Sequence, residues 1–361
     1  MQKIKYSTDK NTEFIKELRQ EVSEYFKTRN VSKHGNTQLA IKTVIMFLIY
    51  LLPYTLMMTG VVTNIWAIFS MWVIMGIGMA GMGMGVMHDA GHGAFSKHKK
   101  INKILGATLY ILGGFPPNWQ QQHNRKHHTY TNITGADEDI APPAGILRFS
   151  PHEKRTKIHK YQYIYAWFFY GLMTLSWAIM KDFKQLRGYQ KRNTVLAGKE
   201  SYSVLYAKMI AGKLLYFGIF LVLPIIVLPI AWYWTVLFFV IAQFICGFIL
   251  GIVFQTAHVM PTSQYPLPDE SGKIQHDWAV HQLLTTADYA PKNKILSWYV
   301  GGLNFQVEHH LFPQISHVHY SKLAPIVKKT AKKYNMPYHV NKSFWTALFQ
   351  HAKMLKQLGR I

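Results

Sequence analysis

Eighteen histidines occur in this chain, and eight of them stand at spacings that suit metal chemistry. His88 and His92 lie four apart in HDAGH. His123, His127 and His128 form HNRKHH, His309 and His310 close QVEHH, and His258 stands alone. On a helix, positions i and i+4 share a face one turn apart. Each HxxxH pair can therefore aim two imidazoles at one point, and the adjacent third histidine of HxxxHH points in a neighbouring direction, toward a second ion. Imidazole suits Zn, Cu, Fe and Ni. Eight histidines are too many for one ion with about four to six positions. Two ions, each keeping an open position for oxygen or water, fit the number. Cys246 is the single cysteine, which excludes a disulfide framework and a thiolate-built zinc or iron–sulfur site. The carboxylates beside the clusters, Asp89, Asp137, Glu138, Asp139 and Glu308, can bridge metals but more often orient ligand histidines through the second ring nitrogen. The other histidines, His281 among them, read as surface or supporting groups.

The elements that must position these clusters are set by charge. Lys and Arg number 40 against 17 Asp and Glu, a formal net charge of +23, while 49% of residues are hydrophobic. Residues 43–88 and 214–268 contain no charged side chain at all, a segregation foreign to a soluble domain. Crossing a bilayer takes about 20 apolar residues, so Thr43 to His88 and Leu214 to His258 each read as two spans joined by a tight turn, near Thr59–Asn64 and Pro229–Trp234. Neither turn is charged. The positive-inside rule then places the N-terminal arm, residues 97–213 and the C-terminal third in the cytoplasm, together with every histidine cluster. The charged first thirty residues do not resemble a cleavable signal peptide. Tyr161 to Met180 is also uncharged, but a crossing there would put the early and late clusters on opposite sides. Its aromatic content suits a helix in the cytoplasmic leaflet, and Ile104–Phe115 reads the same way. Phe14, Ile15, Leu18, Val22, Tyr25 and Phe26 form one apolar face of an N-terminal helix. Residues 321–334 and 343–358 read as further cytoplasmic helices. The Gly-rich second span (Gly76, Gly78, Gly81, Gly83, Gly85) points to close helix packing.

The fold class is thus all-α integral membrane: four transmembrane helices in two hairpins, interfacial helices, and a cytoplasmic helical cap carrying the histidine clusters. The single domain, 1–361, divides into an arm (1–38), a first hairpin (39–87), a cytoplasmic and interfacial stretch with two clusters (88–208), a second hairpin (209–257) and the cap (258–361). From the residues alone, the chemistry reads as a histidine-rich dinuclear site at the cytoplasmic membrane face.

The segments HDAGHGAF (88–95), HNRKHHTYTNITGADEDI (123–140) and GGLNFQVEHHLFP (301–313) resemble the membrane-bound fatty acid desaturases, most closely the front-end branch. WAVHQLLTT (278–286) and YSKLAPIVKKTAKKY (320–334) share that likeness, which runs from about residue 14 to 358. The resemblance implies a di-iron centre that activates O2 and places a cis double bond in an acyl chain. The implied ligands are His88, His92, His123, His127, His128, His258, His309 and His310. Gln306 takes the ninth position, where most of the wider family has histidine. Relatives also carry, near the span-four histidine, an asparagine that holds an iron through water; in Phe254-Gln255-Thr256-Ala257-His258 the candidate for that role is Gln255, through a different rotamer.

Removing two hydrogens from an unactivated CH2–CH2 requires a strong metal oxidant, because no side-chain base deprotonates an alkane. The acyl chain must reach the metals through a narrow tunnel, for which Trp119, Phe95, Leu112 and Phe115 are candidate lining residues. Each turnover consumes two electrons. The HPGG motif of a fused cytochrome b5 domain is not present, and about 40 residues before the first span are too few to hold one. The reading therefore calls for a separate ferredoxin or cytochrome b5 with its reductase, steered by the basic cytoplasmic face. The same charge suits anionic lipid. The acyl carrier is left open between CoA and phospholipid, and no nucleic-acid module occurs. Two alternatives compete: a related di-iron hydroxylase or ketolase, and a metal transporter, which the placement of histidines only at the ends of the uncharged runs disfavours. Without a fused haem domain the reading favours a bacterial inner membrane over endoplasmic reticulum.

Overall fold

Apolar side chains gain by leaving water, and here the long uncharged runs make up most of the longest helices. In the computed structural model, which describes residues 4–7, 12–141, 145–196 and 198–361, four helices are long and apolar enough to cross a bilayer: Thr37–Met58, Ile65–Gly91, Tyr202–Val227 and Trp232–His258. The first turn falls where expected, and Asn64 starts the second helix by accepting hydrogen bonds from the backbone N–H of Trp66 and Ala67. Two boundaries differ from the sequence reading. The second span continues through His88 to Gly91 instead of ending before the histidine pair. The third begins at Tyr202, not at 209, and so carries Lys208 as well as Lys213. The uncharged stretch 161–180 is not one helix. It is divided between Lys157–Gly171 and Met173–Lys191, bent by 58°, which together are apolar enough for a fifth crossing.

The described residues group into two compact units. One unit comprises Thr37–Gln121 and Trp167–Ile252 and contains most of the span residues. Its glycines permit close approach: a Cβ on Gly78 would meet the Tyr50 backbone nitrogen at 2.8 Å, and one on Gly76 the Ala242 carbonyl at 2.7 Å. Lys213 is admitted to this apolar setting by its partners. Its Nζ lies 2.5 Å from Asp182 Oδ2 and donates to the carbonyls of Gly113 (2.6 Å) and Trp177 (2.7 Å), and Asn118 Nδ2 donates to the Asp182 carbonyl at 2.8 Å. A buried charge survives only when paired and hydrogen-bonded in this way.

The other unit comprises Met1–Asn36, Gln122–Ala166 and Val253–Ile361. The helix Thr12–Thr28 buries Phe14, Leu18 and Val22 against Leu323, Val327 and Ala331 of Tyr320–Lys333, as its apolar face predicts. Glu17 meets Lys333 at 2.6 Å across the same pair of helices. Two very short parallel strand pairs, which helical periodicity does not announce, close long chain loops. Lys5–Tyr6 pairs with Lys273–Ile274, and Ala287–Tyr289 with His339–Asn341.

Candidate metal centre

The HNRKHH segment does not have the α-helical geometry that its spacing suggests. Gln120–His127 forms a π-helix, whose i→i+5 hydrogen bonds widen the turn and which recurs at functional sites. The His123 and His127 rings stack with centroids 5.3 Å apart at 21°. The wider turn also carries His128 back toward His123, their Nε2 atoms 3.3 Å apart.

Three histidines from distant parts of the chain converge in this unit. One ring nitrogen from each of His127, His258 and His310 lies within 4.8 Å of the others, and His128, His309 and His310 form a second such group. His258 comes from the last turn of the fourth long helix, and His309 and His310 from the short helix Gln306–Leu311. All are buried.

The hydrogen bonds at the opposite ring nitrogens fix what each histidine presents. His127 Nδ1 lies 2.9 Å from Asp137 Oδ2, His310 Nδ1 2.8 Å from Gln282 Oε1, and His258 Nδ1 3.4 Å from the Thr285 carbonyl. Each of those partners accepts, so each Nδ1 carries the proton and each Nε2 carries a lone pair. His127 Nε2 and His310 Nε2 then face one another at 3.2 Å. Two lone pairs at that distance repel unless a cation lies against both, either a metal ion or the proton that the raised His127 pKa favours. His258 Nε2 is buried with no hydrogen-bond partner among the described residues. This donor set fits a metal, and it fits soft-to-borderline imidazole-binding ions such as iron.

The carboxylates divide as expected at two positions and differently at two others. Asp137 is the hub of the loop after the cluster: besides His127 it accepts from Asn132 N at 2.9 Å and from Asp139 N at 2.8 Å. Asp139 Oδ2 receives His123 Nδ1 at 2.9 Å. Burial depresses the His127 pKa, but Asp137 and Asp139 more than offset it, leaving the pKa raised. For His123 burial outweighs Asp139, and the pKa is lowered. Glu138 pairs instead with Lys126. Glu308 orients no histidine ring among the described residues. It shares the Tyr338 hydroxyl (3.0 Å) with Asp288 (2.7 Å), whose other oxygen accepts from Val307 N at 2.9 Å and so holds the start of the Gln306–Leu311 helix. Burial raises the pKa of Asp288 to about 6 and that of Glu308 well up.

Several supporting residues escaped sequence reasoning. Gln282 accepts the His310 proton, and Trp278 Nε1 donates to the His128 carbonyl at 2.9 Å. Of the two roles the sequence left open for His281, surface or supporting, its burial excludes the first: it is wholly buried, donates through Nε2 to the Thr131 carbonyl at 2.7 Å, and has its pKa lowered by burial to about 3. The spacing within WAVHQLLTT puts these side chains on one short helix, Trp278–Thr285, but no spacing rule assigns them roles. His159 and His351 are likewise buried and bonded to backbone carbonyls, Gly145 at 2.7 Å and Val259 at 2.8 Å. Gln306 and Gln255 are both buried, each with an Oε1 that has no hydrogen-bond partner among the described residues.

In the span-rich unit, His88 and His92 lie at the end of the Ile65–Gly91 helix, after the π-turn Gly83–Met87. Their rings are 4.7 Å apart, and Trp119 packs edge-on against both, at 5.8 and 5.7 Å. Gly91 makes room for that ring, since a Cβ there would overlap it. Phe115 packs in a core with Leu186, Tyr189, Leu205 and Met209.

A model of the fatty acid desaturase family matches residues 64–342. An sn-1 linoleoyl-lipid 6-desaturase of Arthrospira platensis is 32% identical over 98% of this chain and 95% of its own length. An acyl-lipid (8-3)-desaturase of Physcomitrium patens is 32% identical over 99% of this chain and 74% of its own. A second acyl-lipid (8-3)-desaturase, from Mortierella alpina, is 32% identical over 96% and 78%.

Proposed function

The chain belongs to the fatty acid desaturase family, and on that premise we propose that it inserts a cis double bond on the carboxyl side of an existing one, in an acyl chain esterified to a membrane lipid. It is an integral membrane oxidoreductase that desaturates fatty acyl chains. The acyl-lipid carrier and the front-end position are supported by the relatives, which are named for acyl-lipid substrates and for 6- and (8-3)-desaturation. The balanced reaction takes R–CH2–CH2–R′, O2, two electrons and two protons to R–CH=CH–R′ and two waters. The electrons come from a separate ferredoxin or cytochrome b5 type carrier.

The proposed ligands of two irons are His88, His92, His123, His127, His128, His258, His309 and His310, with Gln306 at the ninth position and Gln255 beside His258. The iron pair, when bound, supplies the O2-derived oxidising power that an unactivated CH2–CH2 demands. The chain's own residues do the rest. Asp137, Asp139 and Gln282 keep the ligand rings in one tautomer and orientation. Asp288 and Tyr338 hold the helix that carries His309 and His310. The apolar surroundings exclude water from the reacting carbons. The basic segments and the positive-inside rule support a cytoplasmic-facing site, with Lys157–Lys191 lying in that leaflet, in a bacterial inner membrane.

The observation that carries the reading is the meeting of the His127 and His310 lone pairs, with His258 beside them. Expression in a host supplied with polyunsaturated fatty acids, followed by double-bond mapping of each lipid class, tests it. A new double bond nearer the carboxyl end, appearing first in complex lipids, supports the proposal. Products confined to acyl-CoA, or hydroxylated chains, count against it. Purified protein should hold about two irons per chain, and stoichiometric zinc in their place would refute the metal assignment.

A further inference from the structure

The C-terminal helix Phe344–Leu358 buries Ala347, His351, Met354, Leu355 and Leu358. That inward face accounts for its core packing. Trp345 and Phe349, four residues apart on the opposite face, are nevertheless 79% and 70% exposed. The short helix Lys294–Tyr299 repeats the arrangement: Leu296 turns inward, while Ile295 is 82% exposed and Trp298 is exposed beside it. Scattered exposed apolar residues need no explanation. Four large ones on the outward faces of two helices that share one core cluster do.

That cluster shows where the two helices sit. Ala347, Leu296 and Phe344 pack with Ala257, Met260 and Tyr289. Ala257 is in the last turn of the fourth membrane-length helix, Trp232–His258. His351 Nδ1 donates to the Val259 carbonyl at 2.8 Å, and the Tyr289 hydroxyl donates to the Val253 carbonyl at 3.0 Å. Both helices are therefore fastened to the end of a span, at the level where a bilayer gives way to water.

The charges complete the pattern. Between Tyr289 and Ile361 the only acidic residue is Glu308, which is buried. Lys292, Lys294, Lys342, Lys353 and Lys356 are exposed around the apolar residues. Tryptophan and aliphatic side chains with flanking lysines, and no carboxylate, are the composition of an element lying in a membrane interface, where lysine stems reach headgroup phosphates.

We propose that Trp345, Phe349, Ile295 and Trp298 form a membrane-docking face, which seats the C-terminal part of the chain on the anionic lipid surface beside the fourth span. The inference rests on the span and the shared core, and is independent of the metal assignment.

The test uses the full chain in lipid nanodiscs. Phe349→Cys is labelled with bimane, and the unsubstituted chain, whose single Cys246 is buried, serves as the labelling blank. In phosphatidylglycerol-containing discs, a lipid carrying a doxyl group near its headgroup should reduce emission about twofold, while aqueous iodide should quench it less than half as well as a free bimane–cysteine adduct. The same result is expected for Ile295→Cys, which samples the second helix. Replacing Lys342 and Lys353 by Gln should reduce doxyl quenching in anionic discs and leave it unchanged in phosphatidylcholine. Free iodide access without doxyl quenching overturns the proposal. So does protection from iodide without doxyl quenching, which would assign the face to a protein partner or a second copy.

Discussion

His127 and His310 are 183 positions apart in sequence, and their Nε2 atoms lie 3.2 Å from each other in the fold. Both rings are turned to this arrangement from behind, His127 by Asp137 and His310 by Gln282.

Asp137→Asn removes the negative charge and one of the two oxygens that serve His127, Asn132 and Asp139. Residues that orient a metal-bound histidine typically contribute 10–100-fold to affinity or activity. Iron retained after dialysis against a chelator, measured by plasma mass spectrometry, should fall by about that factor, with protein still in the membrane fraction.

Gln282→Leu is close in size but offers His310 no acceptor. The ring loses its shortest Nδ1 contact and keeps the longer one to Thr131 Oγ1 at 3.3 Å, and iron retention and desaturation should fall together, again by about 10–100-fold. Undiminished iron in this variant would show that His310 is oriented by some other group.

Gly91→Ala places a methyl group in the Trp119 ring. Overpacking of this kind costs about 1–3 kcal/mol, visible as a lowered unfolding temperature in detergent. Trp119→Leu in the same chain should recover part of the loss, because the two positions are in contact. An alanine variant as stable as the parent would mean that the ring shifts freely.

Lys213→Met leaves Asp182 buried without its cation. Breaking a buried pair in this way costs about 3–5 kcal/mol. Adding Asp182→Leu removes the stranded charge, so the double variant should be more stable than the single one. Equal stability of the two would show that Asp182 finds another partner.

His351 is buried and donates to the Val259 carbonyl, and burial lowers its pKa from 6.5 to about 4. A depressed histidine contributes stability above pH 6.5, where both folded and unfolded states are neutral, and loses it as the pH falls toward about 4 and the unfolded chain takes up the proton first. At pH 5 this amounts to about 2 kcal/mol relative to pH 7. His351→Gln keeps an N–H for Val259 and does not titrate, so its stability should decline less between pH 7 and pH 5, as read by thermal unfolding.

Residue type and separation made the histidine clusters and the four long apolar helices legible, because metal ligation and bilayer crossing each demand a composition that little else demands. What they left hidden has a common cause. The π-turn at Gln120–His127 depends on which carbonyl each N–H selects, and HxxxHH reads the same in either helix. Gln282, Asp288 and Tyr338 matter only through neighbours tens of residues away, and their types are ordinary for a core. The start of the third long helix at Tyr202 was obscured by Lys208 and Lys213, charges that argue against a span until Asp182 is seen beside Lys213.

The histidine-bearing unit is assembled from three separated stretches, the last beginning at Val253. A growing chain leaves the ribosome N-terminus first, and such a unit cannot complete its core until its final stretch has emerged. By then the apolar helices have already been released for insertion into the bilayer. On the proposed ligand assignment, metal loading through His127 and His310 follows as a late event of biogenesis, and a prematurely terminated chain reaches the membrane without His258, His309 and His310.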